Sequence, residues 1–390
     1  MAGRSILGTA DVDDDTFTAI VAGALGEDPA RVTVLASRAC VVPYPLDAIT
    51  TAGRYWVTAR AATPAGERDV RMFVKHVQSW ARSPLFRFVP EEARDFAARS
   101  VPWRTEPLVY GSDLRDRLPA GLTMPPAHHV SMLDDSSAAI WLPALDVVDD
   151  EWDVADHEHA AHLLGRLAAC DAAGELTALG DADGGPRTVR TYADGRLAMQ
   201  VAPALRSEEL WQVPWVEGAF EPELRARLVH ALDEVPGWLE ELDAVPSANA
   251  HGDACRNNLL HTVGSDDITL IDFGFWSRQV VGFDLGQLLV GDVQLGRRAA
   301  ATLPQLEAVC LPAYVDGLRA EGLEVDTATV ARAHALHLMI FTGLSAALTG
   351  PPAPGTRPEA LTDEARERAA MARFCLGLVE ATSSRSPGST

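Results

Sequence analysis

The residue pattern of this chain changes character once, and that change limits the folds open to it. Three segments rich in β-branched and aromatic residues, RVTVLASRACVV at 31–42, RYWVTARAAT at 54–63 and VRMFVKHV at 70–77, read as strands. Polar TTAGR links the first two, and PAGERD between the last two reads as a hairpin turn. Two more strand candidates flank DDSS, at 127–133 and 138–142. DDTFTAIVAGAL at 14–25 has the cap signals of a short helix, and PEEARDFAARS at 90–100, with its leading proline and first-turn acids, reads as a helix inserted among the strands. From Pro143 onward the apolar spacing turns helical, as with Leu224, Leu228, Leu232, Val235 and Leu239, and helices are expected near 157–170, 221–245, 282–291, 304–321, 326–349 and 362–382. Strands first and helices afterwards, without an internal repeat, predict an α+β fold. It divides into a small antiparallel β-rich lobe at 1–142, a hinge near 141–146, a large mainly helical lobe at 143–382 and a disordered tail at 383–390.

Two short strands interrupt the helical part, and the chemistry concentrates beside them. HGDACRNN at 251–258 is followed by IDFG at 271–274. Asp253 sits in a turn five residues ahead of the amide Asn258, and Asp272 ends an apolar run nineteen residues after Asp253. Moving a phosphoryl group asks for positioning and charge neutralisation rather than covalent help. Asp253 suits the orienter or base for an attacking hydroxyl, and Asn258 and Asp272 are the hard oxygen donors that Mg2+ accepts from separate loops. Each motif alone is also an ordinary turn sequence; the two in this order, each beside an apolar strand, favour the chemical reading.

These residues resemble the aminoglycoside phosphotransferase family, the small-molecule branch of the protein-kinase-like fold that includes choline kinases. The match rests on His251, Gly252, Asp253 and Asn258, then Ile271, Asp272 and Phe273, then Gly282, Asp284, Leu285 and Gly286, with the last glycine and aspartate closer together than the family usually has them. The resemblance is strong over 249–290 and weaker elsewhere. It implies a bilobal fold, Asp253 as catalytic base, Asn258 and Asp272 as metal ligands, and His251 and Asp284 as supports of the catalytic loop. Arg256 departs from the small turn residue common in relatives; it either caps the turn or faces a phosphate or anionic substrate.

The resemblance also gives the β-rich lobe the nucleotide. Lys75 in FVKHV, the sole lysine of the chain, becomes the phosphate-contacting cation. Glu92, spaced E-x-x-x-F to Phe96, is its expected partner on the following helix, with Glu91 the competitor. ITTAGR at 49–54 is the expected phosphate-covering loop, offering Thr50, Thr51 and Gly53, or else a plain hairpin loop. Leu142 and Leu145 bracket the hinge backbone on which a choice between ATP and GTP depends.

Composition narrows the remaining classes. Fifty-five acidic against 33 basic residues give a net charge of -22, which opposes nucleic acid and anionic membrane and suits either solubility or a cationic substrate. Five scattered cysteines without a CxxC pair predict free thiols in a reducing cytoplasm; the N-terminus does not read as a signal peptide, and no run is apolar enough to span a bilayer. HEHAAH at 157–162 lacks the HExxH order of a zinc site and reads as a surface helix start. The expectation is an O-phosphotransferase moving the γ-phosphate of ATP or GTP to a small hydroxylated molecule. Its role is antibiotic inactivation or self-protection, in keeping with a lysine-poor composition of the high-GC actinobacterial kind. A metabolic kinase of a sugar, amino alcohol or nucleoside, or an inactive nucleotide-binding relative, are the alternatives.

Overall fold

The computed structural model describes residues 3–43, 48–148, 151–183, 185, 188–348 and 356–383. Contacts divide the chain into two compact units. One comprises Met1–Val148 with Leu179–Gly185 and His261–Trp276; the other comprises Asp149–Ala178, Pro186–Leu260 and Ser277–Thr390. The division differs from the expected 1–142 and 143–382, because two later segments, one of them carrying Asp272, pack with the sheet. Of the expected tail, Ser383 ends a helix and 384–390 lie outside the described residues.

The first unit holds a five-stranded sheet. β1 (Thr33–Val41), β2 (Thr51–Thr63) and β3 (Gly66–Gln78) form the expected meander, and β4 (His129–Asp134) and β5 (Ser137–Pro143) a hairpin around the DDSS turn. Their spatial order is β1-β2-β3-β5-β4, antiparallel throughout. Alternation assigns the faces. Val57, Ala59 and Ala61 on β2 and Met72 and Val74 on β3 are buried with Phe17, Ile20 and Val21 of helix α1 (Asp14–Leu25) and with Trp141. Asp13 caps that helix by accepting from the Thr16 amide at 2.8 Å, and Gly26 closes it in the left-handed conformation that glycine adopts without strain. Lys75 lies on the opposite face, in the middle of the sheet, with Arg54 and Ile140 as its neighbours in register. Helices α2 (Arg94–Ser100) and α3 (Thr105–Tyr110) follow β3.

The second unit is helical. α4 (Val154–Ala169), with an Asp153–Asp156 capping box, lies against a later helix, and α5 (Pro222–Asp243) buries the predicted leucine stripe. A two-stranded ribbon, β6 (Ser247–Ala250) with β7 (Ser277–Val280), pairs Ala250 with Ser277 and launches the motif loop. After it come α6 (Phe283–Gln294), α7 (Leu303–Ala320), α8 (Thr327–Leu338) and α9 (Pro358–Ser383). Helices α4 and α7 cross where Gly165 and Gly317 meet: a Cβ on Gly165 would stand 2.1 Å from the Tyr314 carbonyl oxygen, so only glycine permits that approach. Trp211 and Trp276 are buried, in keeping with core residues. All five cysteines are free. Among the described residues, no helix is long and apolar enough to cross a membrane.

Candidate active site

In the sheet unit, Lys75 is the centre of a buried charge cluster. Its Nζ lies 2.6 Å from Oε2 of Glu106 and 2.9 Å from Oδ1 of Asp272. Lys75 and Glu106 are almost wholly buried, whereas the Asp272 side chain is 41% exposed. Burial pulls the Lys75 ammonium down, but Asp272 and then Glu106 more than offset it and hold it above the ordinary lysine range. Two carboxylates share one cation, so the more buried one bears the conflict. Burial pushes Glu106 up to about 7 against the pull of Lys75, with Asp272 adding to the rise. The lysine therefore stays charged and Glu106 is the group in balance. Asp272 has φ 63° and ψ 61°, the one positive φ at a non-glycine among the described residues. A left-handed aspartate persists only where its surroundings impose it, and such strain gathers at functional sites. Phe273 after it is fully buried and meets the Tyr110 ring edge-on, 5.8 Å between centroids.

In the helical unit, the loop after β6 is built on Asp284. This carboxylate, in the first turn of α6, accepts from the His251 amide at 2.8 Å and the Gly252 amide at 2.9 Å. Burial raises its pKa, against the opposing effects of His251 and the two amides. Gly252, at φ 85°, takes the turn that lets both amides face one side chain. Asn258 then closes the loop: its Nδ2 donates to the Asp253 carbonyl at 2.8 Å and to Asp253 Oδ2 at 3.0 Å. The amide nitrogen is thus committed to Asp253, and the carbonyl oxygen is the remaining acceptor of Asn258. Helix α6 comes close to the loop because Gly291 has no side chain; a Cβ there would stand 2.8 Å from Cys255 Cβ.

The helical unit thus brings together His251, Asp253, Asn258 and Asp284, and in the sheet unit Lys75 meets Asp272. The partner of Lys75 is a correction. Glu91 and Glu92 are exposed in a 3-10 turn ahead of α2, and the carboxylate at Lys75 is Glu106 of α3. A signal for it was present, since Glu106 and Tyr110 repeat the E-x-x-x-[FY] spacing. The expected loop at 49–54 is in part strand. Thr50 precedes β2, but Thr51 and Gly53 are strand residues on either side of a bulge, paired with Val77 and His76, and Gly53 lies under the Tyr55 ring. Leu142 is buried in β5, Leu145 is half-buried in the segment after it, and Arg256 is half-buried in the Arg256–Asn258 turn.

Among the described residues, no group of three or more His, Cys, Asp or Glu side chains could hold a metal ion alone. Magnesium asks for less, taking one or two carboxylates together with waters and nucleotide phosphates. The half-exposed Asp272 carboxylate and the Asn258 carbonyl oxygen are donors of that kind.

Residues 124–321 match the family model described as APH, phosphotransferase enzyme family. No curated protein matches the sequence. Among solved structures, the chain is similar to an amicoumacin kinase in complex with AMP-PNP and Ca2+, at 13% identity over 89% of each chain with a TM-score of 0.46. It is similar to a spectinomycin phosphotransferase in complex with ADP at 10% identity over 88% of this chain and 93% of that one, TM-score 0.45. An ethanolamine kinase of Plasmodium vivax is 12% identical over 94% of this chain and 88% of that one, TM-score 0.46.

Proposed function

Since the chain belongs to the phosphotransferase enzyme family and has an α+β fold, we propose that it transfers the γ-phosphoryl group of ATP or GTP to a hydroxyl of a small molecule. The observation that carries the reading is the fate of its sole lysine, buried in the central strand and held between Glu106 and Asp272. A charged lysine costs several kcal/mol to bury unless its surroundings use it, and a fixed ammonium is what nucleotide phosphates require.

Asp253 is the proposed base. It accepts the hydrogen bond of the acceptor hydroxyl and takes its proton as the oxygen attacks phosphorus. Asn258, donating to Oδ2 of Asp253, holds that carboxylate in one orientation. Asp284 fixes the loop backbone that carries it. Lys75, oriented by Glu106, binds phosphate oxygen and offsets its charge. Asp272 and Asn258 are the proposed ligands of magnesium, which when bound neutralises charge on the phosphates and helps to align them. Leu142 and Leu145 are proposed for the base side of the nucleotide, and Thr50, Thr51 and Gly53 for its phosphate side. Arg256 is a proposed phosphate or substrate contact.

For the acceptor we place a hydroxylated antibiotic first, in keeping with the lysine-poor composition of the high-GC actinobacterial kind, with a metabolic sugar, amino alcohol or nucleoside as the alternative. The test is transfer from γ-labelled ATP and GTP, with magnesium, across a panel of hydroxylated antibiotics and metabolites. Label in one antibiotic supports the reading, and label only in metabolites moves the role to metabolism. If no acceptor is labelled while nucleotide still raises the melting temperature, the chain is an inactive nucleotide-binding relative.

A further inference from the structure

We propose that Asp183 is a positioning residue of the nucleotide site, acting on Glu106 through the start of helix α3; the inference rests on the reading of Lys75 and Glu106 as nucleotide-binding. Helix α3, Thr105–Tyr110, is too short to persist by its own hydrogen bonds, so its place is set by the packing of its buried face and by what grips its ends. Its far end is held by the Tyr110 ring against Phe273. Its near end has no cap of its own, since Arg104 at the cap position makes no side-chain capping bond.

The grip comes from a distant part of the sequence. Oδ2 of Asp183 accepts from the Trp103 amide at 2.8 Å and from the Arg104 amide at 2.9 Å. One carboxylate oxygen thus fixes two successive peptide units where the chain enters the helix, and its charge complements the positive end of the helix. Glu106 follows two residues later and bonds Lys75. The segment that delivers Asp183 is an excursion: Leu179–Gly185 packs with the sheet unit, while the residues on both sides of it belong to the helical unit. A second anchor, from Arg104 Nη2 to the Asp135 carbonyl at 2.9 Å, holds the side chain of Arg104 but neither of the two amides. Asp183 is therefore the group that sets the backbone entry of α3, and through it the reach of Glu106 to Lys75.

The experiment is a double-mutant cycle read by Mg-ATP affinity in calorimetry, using the full chain. Asp183→Ala removes the acceptor and should weaken nucleotide binding about fivefold to thirtyfold, from the typical to the upper cost of losing a helix cap. Asp183→Asn keeps an oxygen at that place and should recover most of the affinity. In a Glu106→Ala background, Asp183→Ala should change affinity less than about twofold, because the group it positions is no longer there. A merely structural Asp183 would act equally in both backgrounds, and that result overturns the proposal, as does wild-type affinity in Asp183→Ala. If Asp183→Ala does not fold, the substitution Asp183→Ser, which shortens the acceptor, is carried through the same cycle with the same criteria. Amide exchange at Trp103 and Arg104 gives an independent reading: faster exchange in the variant is expected, and unchanged exchange overturns the clamp. A wild-type protein that binds no nucleotide would instead refute the phosphotransfer reading, and with it the role given to Asp183.

Discussion

Replacing Glu106 by glutamine should change how stability depends on pH, in a direction opposite to simple loss of an ion pair. Glu106 has an ordinary value of 4.5 and is lifted to about 7 in the folded chain, mainly by burial. Between those values the folded protein holds a proton that the unfolded chain has released. Its stabilising contribution is whole below about pH 4.5 and is lost as pH rises through 7. A tenfold change in proton affinity is worth about 1.4 kcal/mol, so the whole interval carries about 3 kcal/mol as an upper bound. Glutamine has no proton to lose. Relative to wild type, Glu106→Gln should therefore gain stability by up to about 3 kcal/mol between pH 5 and pH 8, whatever its starting deficit. Urea unfolding of both proteins at pH 5, 6.5 and 8 measures this directly, since carboxylates remote from Glu106 are common to both and cancel. Parallel curves, or a wild type that gains on the variant as pH rises, would refute the assignment of Glu106 as the group in balance.

Other substitutions separate the parts of the site. Asp272→Ala should abolish metal-dependent nucleotide binding, seen as loss of the magnesium-induced gain in ATP affinity; an unchanged gain would remove Asp272 from the ligand set. Asp284→Ala leaves the His251 and Gly252 amides without their acceptor in a buried place and should destabilise the protein by about 2–4 kcal/mol in urea unfolding. Gly165→Ala is the test of the α4–α7 crossing. In an open helix it would stabilise by about 1 kcal/mol, but here the added carbon meets backbone that no rotamer change can move, and a loss of about 1–3 kcal/mol in thermal or urea unfolding is expected.

What could be read without coordinates follows from the range of the interactions. The meander, the DDSS hairpin and most helices after Pro143 rest on local alternation and periodicity and appear close to their expected bounds, but the helix expected over 326–349 is α-helical only over Thr327–Leu338 and gives way to a π-helical turn, Met339–Gly343. The turns at HGD and IDFG could be located because the residues of each lie near one another in sequence, whereas the carboxylate that holds the first turn, Asp284, comes from a later helix. Glu106 was missed because two segments fit the same E-x-x-x-[FY] spacing, and burial decides between them. Phe96 is 37% exposed, while Tyr110 is 6% exposed and packs on Phe273. The packing of 261–276 with the sheet and the bonds from Asp183 to Trp103 and Arg104 are tertiary facts with no local signature. Thr51 and Gly53 look like loop residues because small and polar side chains suggest turns, but a bulge carries them into the ladder with β3.

If this chain moves a phosphoryl group with Asp253 as base, wild type and Asp253→Ala must differ in transfer but not in nucleotide binding. Transfer of γ-label to the best acceptor is measured alongside Mg-ATP affinity. The expected result is a fall in kcat of at least about a hundredfold, roughly 2.7 kcal/mol of barrier, with nucleotide affinity within about twofold of wild type. An Asp253→Ala protein that transfers the label at the wild-type rate would contradict it.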